Sequence, residues 1–77
     1  MPSPFPALTP RKLERAIESL GYRCVRQEGS HKVFKAPGRR NLVLSISREL
    51  SANEVKNFLV RQAGLTLEEA LEVALSV

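Results

Sequence analysis

The side chain best suited to chemistry in this chain is its single histidine, His31. An imidazole can take up or release a proton near neutral pH, which general acid–base catalysis requires. The basic residues nearest to it in sequence are Arg26, Lys32 and Lys35, and such side chains attract phosphate groups. RNA supplies its own nucleophile, the 2′-hydroxyl, so a small enzyme acting on it needs a base, an acid and positive charge. These residues therefore predict proton transfer beside a bound phosphate.

The segment Glu28-Gly29-Ser30 comes directly before His31 and predicts a turn that contains two small residues, Gly29 and Ser30. If this turn forms an anion-binding nest, the N–H groups of both residues can donate to a phosphate oxygen. A lone histidine at such a place also has a structural interpretation, in which it holds the turn. The residues by themselves leave both interpretations open.

Other kinds of active site do not suit this composition. The chain contains no aspartate and its eight glutamates are scattered, so no carboxylate cluster for two metal ions is predicted. One cysteine and one histidine cannot form a zinc site within one chain. The four glycines are far apart and give no phosphate-binding loop. We therefore predict neither metal nor cofactor, and we interpret Cys24 as a small core residue.

Charge is distributed unevenly along the 77 residues. Residues 1–50 carry ten Lys or Arg against four Glu, whereas residues 51–77 carry two against four. A basic body with a mildly acidic tail suggests an anionic ligand on one side. No apolar run is long enough to span a membrane, and the N-terminus does not resemble a signal peptide. These features predict a cytoplasmic protein that does not bind membranes.

A Pro-rich lead, residues 1–8, is predicted to be flexible and to precede a single domain over residues 9–77. Thr9 and Pro10 mark a helix start, and apolar residues at positions 13, 16, 17 and 20 have helical spacing. Three short extended runs follow, at residues 22–27, 31–36 and 41–46, separated by turns.

The second run shows which side of the predicted sheet is buried. Phe34 has to join the apolar side of the third run, which consists of Leu42, Leu44 and Ile46, if it is to be buried. Because side chains alternate along a strand, His31 and the residues at 33 and 35 then lie on the open face. The first run alternates poorly and does not reveal its inner face.

Two S/T-x-x-E capping boxes, at residues 51–54 and 66–69, predict two more helices. The first has an apolar side at positions 55, 58 and 59. The second carries apolar residues at positions 67, 70, 71 and 74. These can pack on the core of their own domain or against another chain, and packing on their own core is the preferred interpretation. Strands joined by hairpins and flanked by helices predict an α+β fold of order α-β-β-β-α, with a three-stranded antiparallel sheet and an extra short C-terminal helix.

Two separated motifs resemble those of HicA-type toxins. Residues 25–34 read VRQEGSHKVF, which contains the G-S-H-x-x-F signature, and residues 63–69 read AGLTLEE, which is similar to the family's A-G-L-[ST]-x-E-E ending. The resemblance runs from about Arg11 to Leu71. It implies a fold similar to the double-stranded-RNA-binding domain and an mRNA-cleaving toxin that a HicB-type antitoxin silences. The family's catalytic histidine corresponds to His31, and Gly29 and Ser30 belong to the same motif.

Two rival functions remain open, and the oligomeric state is not predicted. Many family members carry a second histidine at the end of the third strand, where this chain reads LSIS at residues 44–47. A degenerate toxin that acts only through protein interaction is therefore one alternative. The other is a non-catalytic RNA-binding module of the same topology. RNA cleavage through His31 as general acid or base is the preferred prediction.

Overall fold

The computed structural model describes residues 4–77 and confirms the predicted α+β fold. Three strands form one antiparallel sheet in the order β1-β2-β3, and helices precede and follow it. A π-helical turn extends the second helix. The helices are α1 (Pro10–Glu18), α2 (Ala52–Asn57) with its π-helical turn (Phe58–Gln62), and α3 (Leu67–Leu75); the strands are β1 (Arg23–Glu28), β2 (His31–Lys35) and β3 (Leu42–Ser45).

Side-chain caps explain where the helices begin. The hydroxyl of Thr9 accepts from the N–H of Lys12 at 3.3 Å, as the predicted start of α1 requires. Both predicted capping boxes form, each with reciprocal side-chain-to-backbone hydrogen bonds: Ser51 with Glu54, and Thr66 with Glu69. A cap of this kind contributes about 1 kcal/mol. None of the helices in residues 4–77 has the length and apolar character needed to cross a membrane.

One apolar core joins the helices to one face of the sheet. The sheet contributes Phe34, Leu42 and Leu44, each at most 1% exposed, so the predicted buried face is confirmed. The apolar side predicted for α2 is also buried, as are positions 13, 16 and 17 of α1, whereas Leu20, predicted for the same side, lies beyond the end of α1 and is partly buried. In α3 the buried side chains are alanines, whereas Leu67, predicted for the same stripe, is 56% exposed in the first turn.

Strand β1 contains a bulge, and the poor alternation of its sequence is the only indication of it. Cys24 pairs with Phe34 and Arg26 pairs with Val33, which leaves Val25 as an extra residue between them. A bulge of this kind bends the strand and breaks the alternation of its side chains. All six residues of β1 are exposed, and the interpretation of Cys24 as a core residue is wrong because its side chain is exposed.

Part of the predicted flexible lead packs against the domain. Of residues 1–8, residues 1–3 lie outside the described residues. Phe5 and Leu8 are buried in the core, and Leu8 exchanges two backbone hydrogen bonds with Leu50, of 3.0 and 2.8 Å. The packed body of the domain therefore begins before Thr9.

Candidate active site on the open face of the sheet

His31 is the first residue of β2, and its exposed side chain lies on the face that the helices leave open, as predicted. Its partner on β1 is Glu28, and its partner on β3 is Ser45. Residues directly opposite one another in antiparallel strands share a face, with Cβ atoms about 4.5–5.5 Å apart. The histidine is therefore the middle member of a three-strand row, Glu28–His31–Ser45, which we call the histidine row.

A two-residue turn places the histidine in this row. Gly29 has a φ of +57°, in the left-handed region that favours glycine, and a Cβ added there would meet no atom within 4 Å. The carbonyl of Ser30 accepts from the N–H of Ile46 at 2.8 Å, and the carbonyl of Gly29 accepts from the side-chain amide of Gln27 at 3.2 Å. The turn is thus held to both neighbouring segments, and it fixes the start of β2.

Two further rows on the same face carry positive charge. Arg26 pairs with Val33, which pairs with Val43, and one row beyond, Arg23 pairs with Lys35. Successive rows on one face of a sheet are about 6.6 Å apart. The positive charge therefore begins one row from the histidine.

A shallow concavity lies beside these rows, lined by Val25, Arg26, Val33, Lys35 and Asn41. Its charged groups are one guanidinium and one ammonium, and the valines supply apolar surface. Arg26 and Lys35, two of the predicted phosphate contacts, are thus brought together on the face that carries the histidine. A guanidinium and an ammonium can both hold phosphate oxygens.

The third predicted phosphate contact, Lys32, points to the opposite face. Its ammonium donates to Oε1 of Glu14 on α1 at 2.8 Å, and both side chains are largely buried. This hydrogen bond raises the pKa of Lys32 above its ordinary value. Successive residues of a strand point to opposite faces, so the structure separates Lys32 from His31 although they are neighbours in the sequence.

Two members of the histidine row, Glu28 and Ser45, are not among the predicted site residues. The carboxylate of Glu28 lies 3.3 Å from Nε of Arg26, and both side chains are largely exposed. The hydroxyl of Ser45 lies 3.1 Å from that of Ser47. A two-residue turn at positions 29 and 30 requires residues 28 and 31 to pair. A sequence interpretation with that turn length would therefore have placed Glu28 opposite His31. The position of Ser45 depends on the longer second turn.

The site offers proton transfer and anion binding. The histidine row presents a carboxylate, an imidazole and a hydroxyl, with a guanidinium beside the carboxylate. Such groups can accept or donate protons and hold an anion. Among residues 4–77, no group of three or more His, Cys, Asp or Glu side chains is placed to hold a metal ion.

A family model described as "HicA toxin of bacterial toxin-antitoxin" matches residues 10–65. The matched part extends from the first residue of α1 past the π-helical turn, and it contains the whole open face of the sheet. No curated protein matches the chain.

Proposed function

The chain belongs to the HicA family of toxins from bacterial toxin–antitoxin systems, and we propose that it is an endoribonuclease that cleaves mRNA with His31 as an acid–base residue. Membership of such a system implies an antitoxin as its partner. The observation that most supports the enzymatic proposal is the placement of the single imidazole, which is exposed in the histidine row and one row from Arg26.

In the proposed reaction, the 2′-hydroxyl of one nucleotide attacks the adjacent phosphorus atom. His31 moves one of the two protons involved, either from the attacking 2′-oxygen or to the leaving 5′-oxygen. The products are a 2′,3′-cyclic phosphate and a 5′-hydroxyl end. The chemistry uses protein side chains and the RNA itself, with no cofactor.

RNA binding is proposed to use the cations of the open face. Arg26 and Lys35 line the concavity next to the histidine row. Arg23, the cross-strand partner of Lys35, lies on the same face. Each phosphate that a cation neutralises releases counterions, so the affinity for RNA should fall steeply with salt. Gly29 and Ser30 contribute through the turn that places His31 beside these cations.

The same face is the surface that we propose for the antitoxin. The family resemblance implies a HicB-type protein that covers the active site, and a partner with acidic groups would complement Arg23, Arg26 and Lys35. Binding there would block access of RNA to His31. The proposed compartment is the cytoplasm, where mRNA is available.

A non-catalytic RNA-binding module is the main alternative, and the start of α2 does not favour it. A double-stranded-RNA binder has to contact phosphates across a groove. Here α2 carries one lysine, Lys56, and its Glu54 forms two hydrogen bonds with Arg48, of 2.9 and 2.6 Å. Because both terminal guanidinium nitrogens of Arg48 donate to this carboxylate, fewer of its N–H groups are left for phosphate at this helix start.

A cleavage assay tests the proposal. A long single-stranded RNA is incubated in EDTA with the wild type, with His31→Ala, and with Lys12→Ala as a control on the helical side. We expect the wild type and the control to produce cyclic-phosphate and 5′-hydroxyl ends, and His31→Ala to bind RNA without cutting it. If none of the three cuts but all bind in a salt-dependent way, the RNA-binding module is correct. If none binds at any salt concentration, a protein-interaction role is correct.

A further inference from the structure

We propose that Glu28 is a second catalytic residue of this site, the general base that removes the 2′-hydroxyl proton, while His31 is the general acid. This inference rests on the proposed ribonuclease function and assigns the two proton transfers that the function leaves open. Its basis is the histidine row, in which a carboxylate and an imidazole are direct cross-strand partners.

The position of Glu28 is fixed by the backbone. The two-residue turn with Gly29 in the left-handed region forces residues 28 and 31 to oppose each other at the end of the β1–β2 hairpin. Glu28 is also the only acidic residue on the three strands, and its side chain is 71% exposed on the open face. A phosphodiester that reaches His31 therefore meets this carboxylate as well.

The other neighbour of His31 in the row cannot take the same part. Ser45 carries a hydroxyl, which is not ionised near neutral pH, and this hydroxyl is already within 3.1 Å of the Ser47 hydroxyl. An ionised carboxylate is an acceptor only, whereas an imidazolium is a donor. The pair Glu28 and His31 thus supplies the one acceptor and the one donor that the reaction needs.

The protons and bonds balance in this assignment. Glu28 takes the proton of the 2′-hydroxyl as the 2′-oxygen forms its bond to phosphorus. The bond from phosphorus to the 5′-oxygen breaks, and His31 delivers its proton to that oxygen. The products are a 2′,3′-cyclic phosphate and a 5′-hydroxyl, and exchange with water then returns a proton to His31 and removes one from Glu28.

Arg26 completes the arrangement. Its Nε lies 3.3 Å from Oε1 of Glu28, so the ion pair keeps the carboxylate on the open face and leaves the other guanidinium N–H groups for a phosphate oxygen. Positive charge at this point would stabilise the negative charge that develops on the phosphate oxygens in the transition state. The ion pair therefore links the proposed base to a phosphate contact.

The test uses an RNA whose cleavage site has been mapped, prepared with either the natural 5′-oxygen or a 5′-sulfur as leaving atom. A thiolate leaves without help from an acid, because a thiol (pKa about 8.5) is far more acidic than an alcohol. The proteins compared are the wild type, Glu28→Gln, His31→Ala, and Glu72→Gln as a control on α3.

On the natural RNA we expect Glu28→Gln and His31→Ala each to lower the cleavage rate about 10²- to 10⁴-fold, the usual contribution of a general acid or base. On the sulfur RNA, His31→Ala should recover to within about tenfold of the wild type, because its acid is no longer needed. Glu28→Gln should stay slow on both RNAs, since both need the 2′-hydroxyl proton removed. Glu72→Gln should match the wild type.

Three results would overturn the assignment. Glu28→Gln could cleave natural RNA at the wild-type rate, or it could be the variant that the sulfur RNA rescues, which would reverse the two roles. Glu28→Gln could also lose RNA binding in an anisotropy titration. Removal of a negative charge should not weaken binding to a polyanion, so this loss would contradict a role confined to proton transfer. Failure of the wild type to cleave either RNA would instead overturn the proposed function itself.

Discussion

The ammonium of Lys32 lies 2.8 Å from Oε1 of Glu14, which ties the second strand to the first helix on the face opposite to His31. Two adjacent residues therefore belong to different layers of the domain. His31 faces solvent, whereas Lys32 shares its face with Leu44 and the core. Lys32 thus contacts the first helix, whereas Arg26 and Lys35 lie on the open face, where we propose that RNA binds.

Replacing Lys32 should lower the stability of the domain, whereas replacing Lys35 should weaken RNA binding. Lys32→Ala removes the hydrogen bond to Glu14, so we expect a lower midpoint of urea unfolding and an RNA affinity close to wild type. Lys35→Ala removes an exposed cation of the open face, so we expect unchanged stability, weaker RNA binding and a salt-dependence slope smaller by about one. Urea unfolding and anisotropy titrations at several salt concentrations measure both quantities. Weaker RNA binding by folded Lys32→Ala than by Lys35→Ala would contradict this separation.

Gly29→Ala should destabilise the domain through backbone conformation alone. The φ of +57° costs a residue with a Cβ about 1–2 kcal/mol, while the added methyl would meet no atom within 4 Å. Gly29→Asn should lose less than the alanine variant, because asparagine tolerates the left-handed region. The free energy of unfolding in urea measures both. Equal stability of wild type and Gly29→Ala would show that the turn relaxes without strain.

The ion pair of Arg48 with Glu54 should make stability depend on acid pH. The hydrogen bond from Arg48, followed by that from the Ser51 backbone, lowers the pKa of Glu54 to about 2. Because this is below the unfolded value of about 4.3, the ionised carboxylate stabilises the fold above that pH, and the contribution is lost as pH falls towards the folded value.

We therefore expect the difference in unfolding free energy between wild type and Glu54→Gln to be constant above about pH 5 and to shrink between about pH 4.3 and 2. Arg48→Gln should remove most of this dependence, because Arg48 is the largest cause of the lowered pKa. Urea unfolding at a series of pH values measures it. A difference that does not change with pH would argue against a lowered pKa in solution.

Phe34→Ala should remove a large part of the stability of the domain. The ring is fully buried on the core face of β2, and removing such a ring costs about 3–5 kcal/mol. A chain of this length has about 4–12 kcal/mol of total stability. Val33→Ala, one residue away on the open face, should cost much less, so circular dichroism during thermal unfolding of the two variants provides a matched comparison. Equal losses would contradict the assignment of the faces.

Residues close together in sequence made much of this protein predictable. Thr9, Ser51 and Thr66 start helices because a hydroxyl can cap the N–H groups two or three residues away. The alternation of β2 around Phe34 gave the correct face for His31, because side chains alternate strictly along a regular strand. The family resemblance rested on the motif around His31 and on the motif at residues 63–69, which runs into α3, and the family model matching residues 10–65 supports it.

Contacts between distant segments were decided only in the tertiary structure. The pairing of Leu8 with Leu50, the ion pair of Lys32 with Glu14 and the row that sets Ser45 beside His31 each join residues of different elements. The bulge at Val25 also depends on two different elements, because it is defined by the register of β1 against β2. Local hydrogen bonds and alternation act within a few residues and can be read directly from a sequence. Register and layer packing depend on how the whole chain closes around its core, because a shift of one residue moves a side chain to the other face.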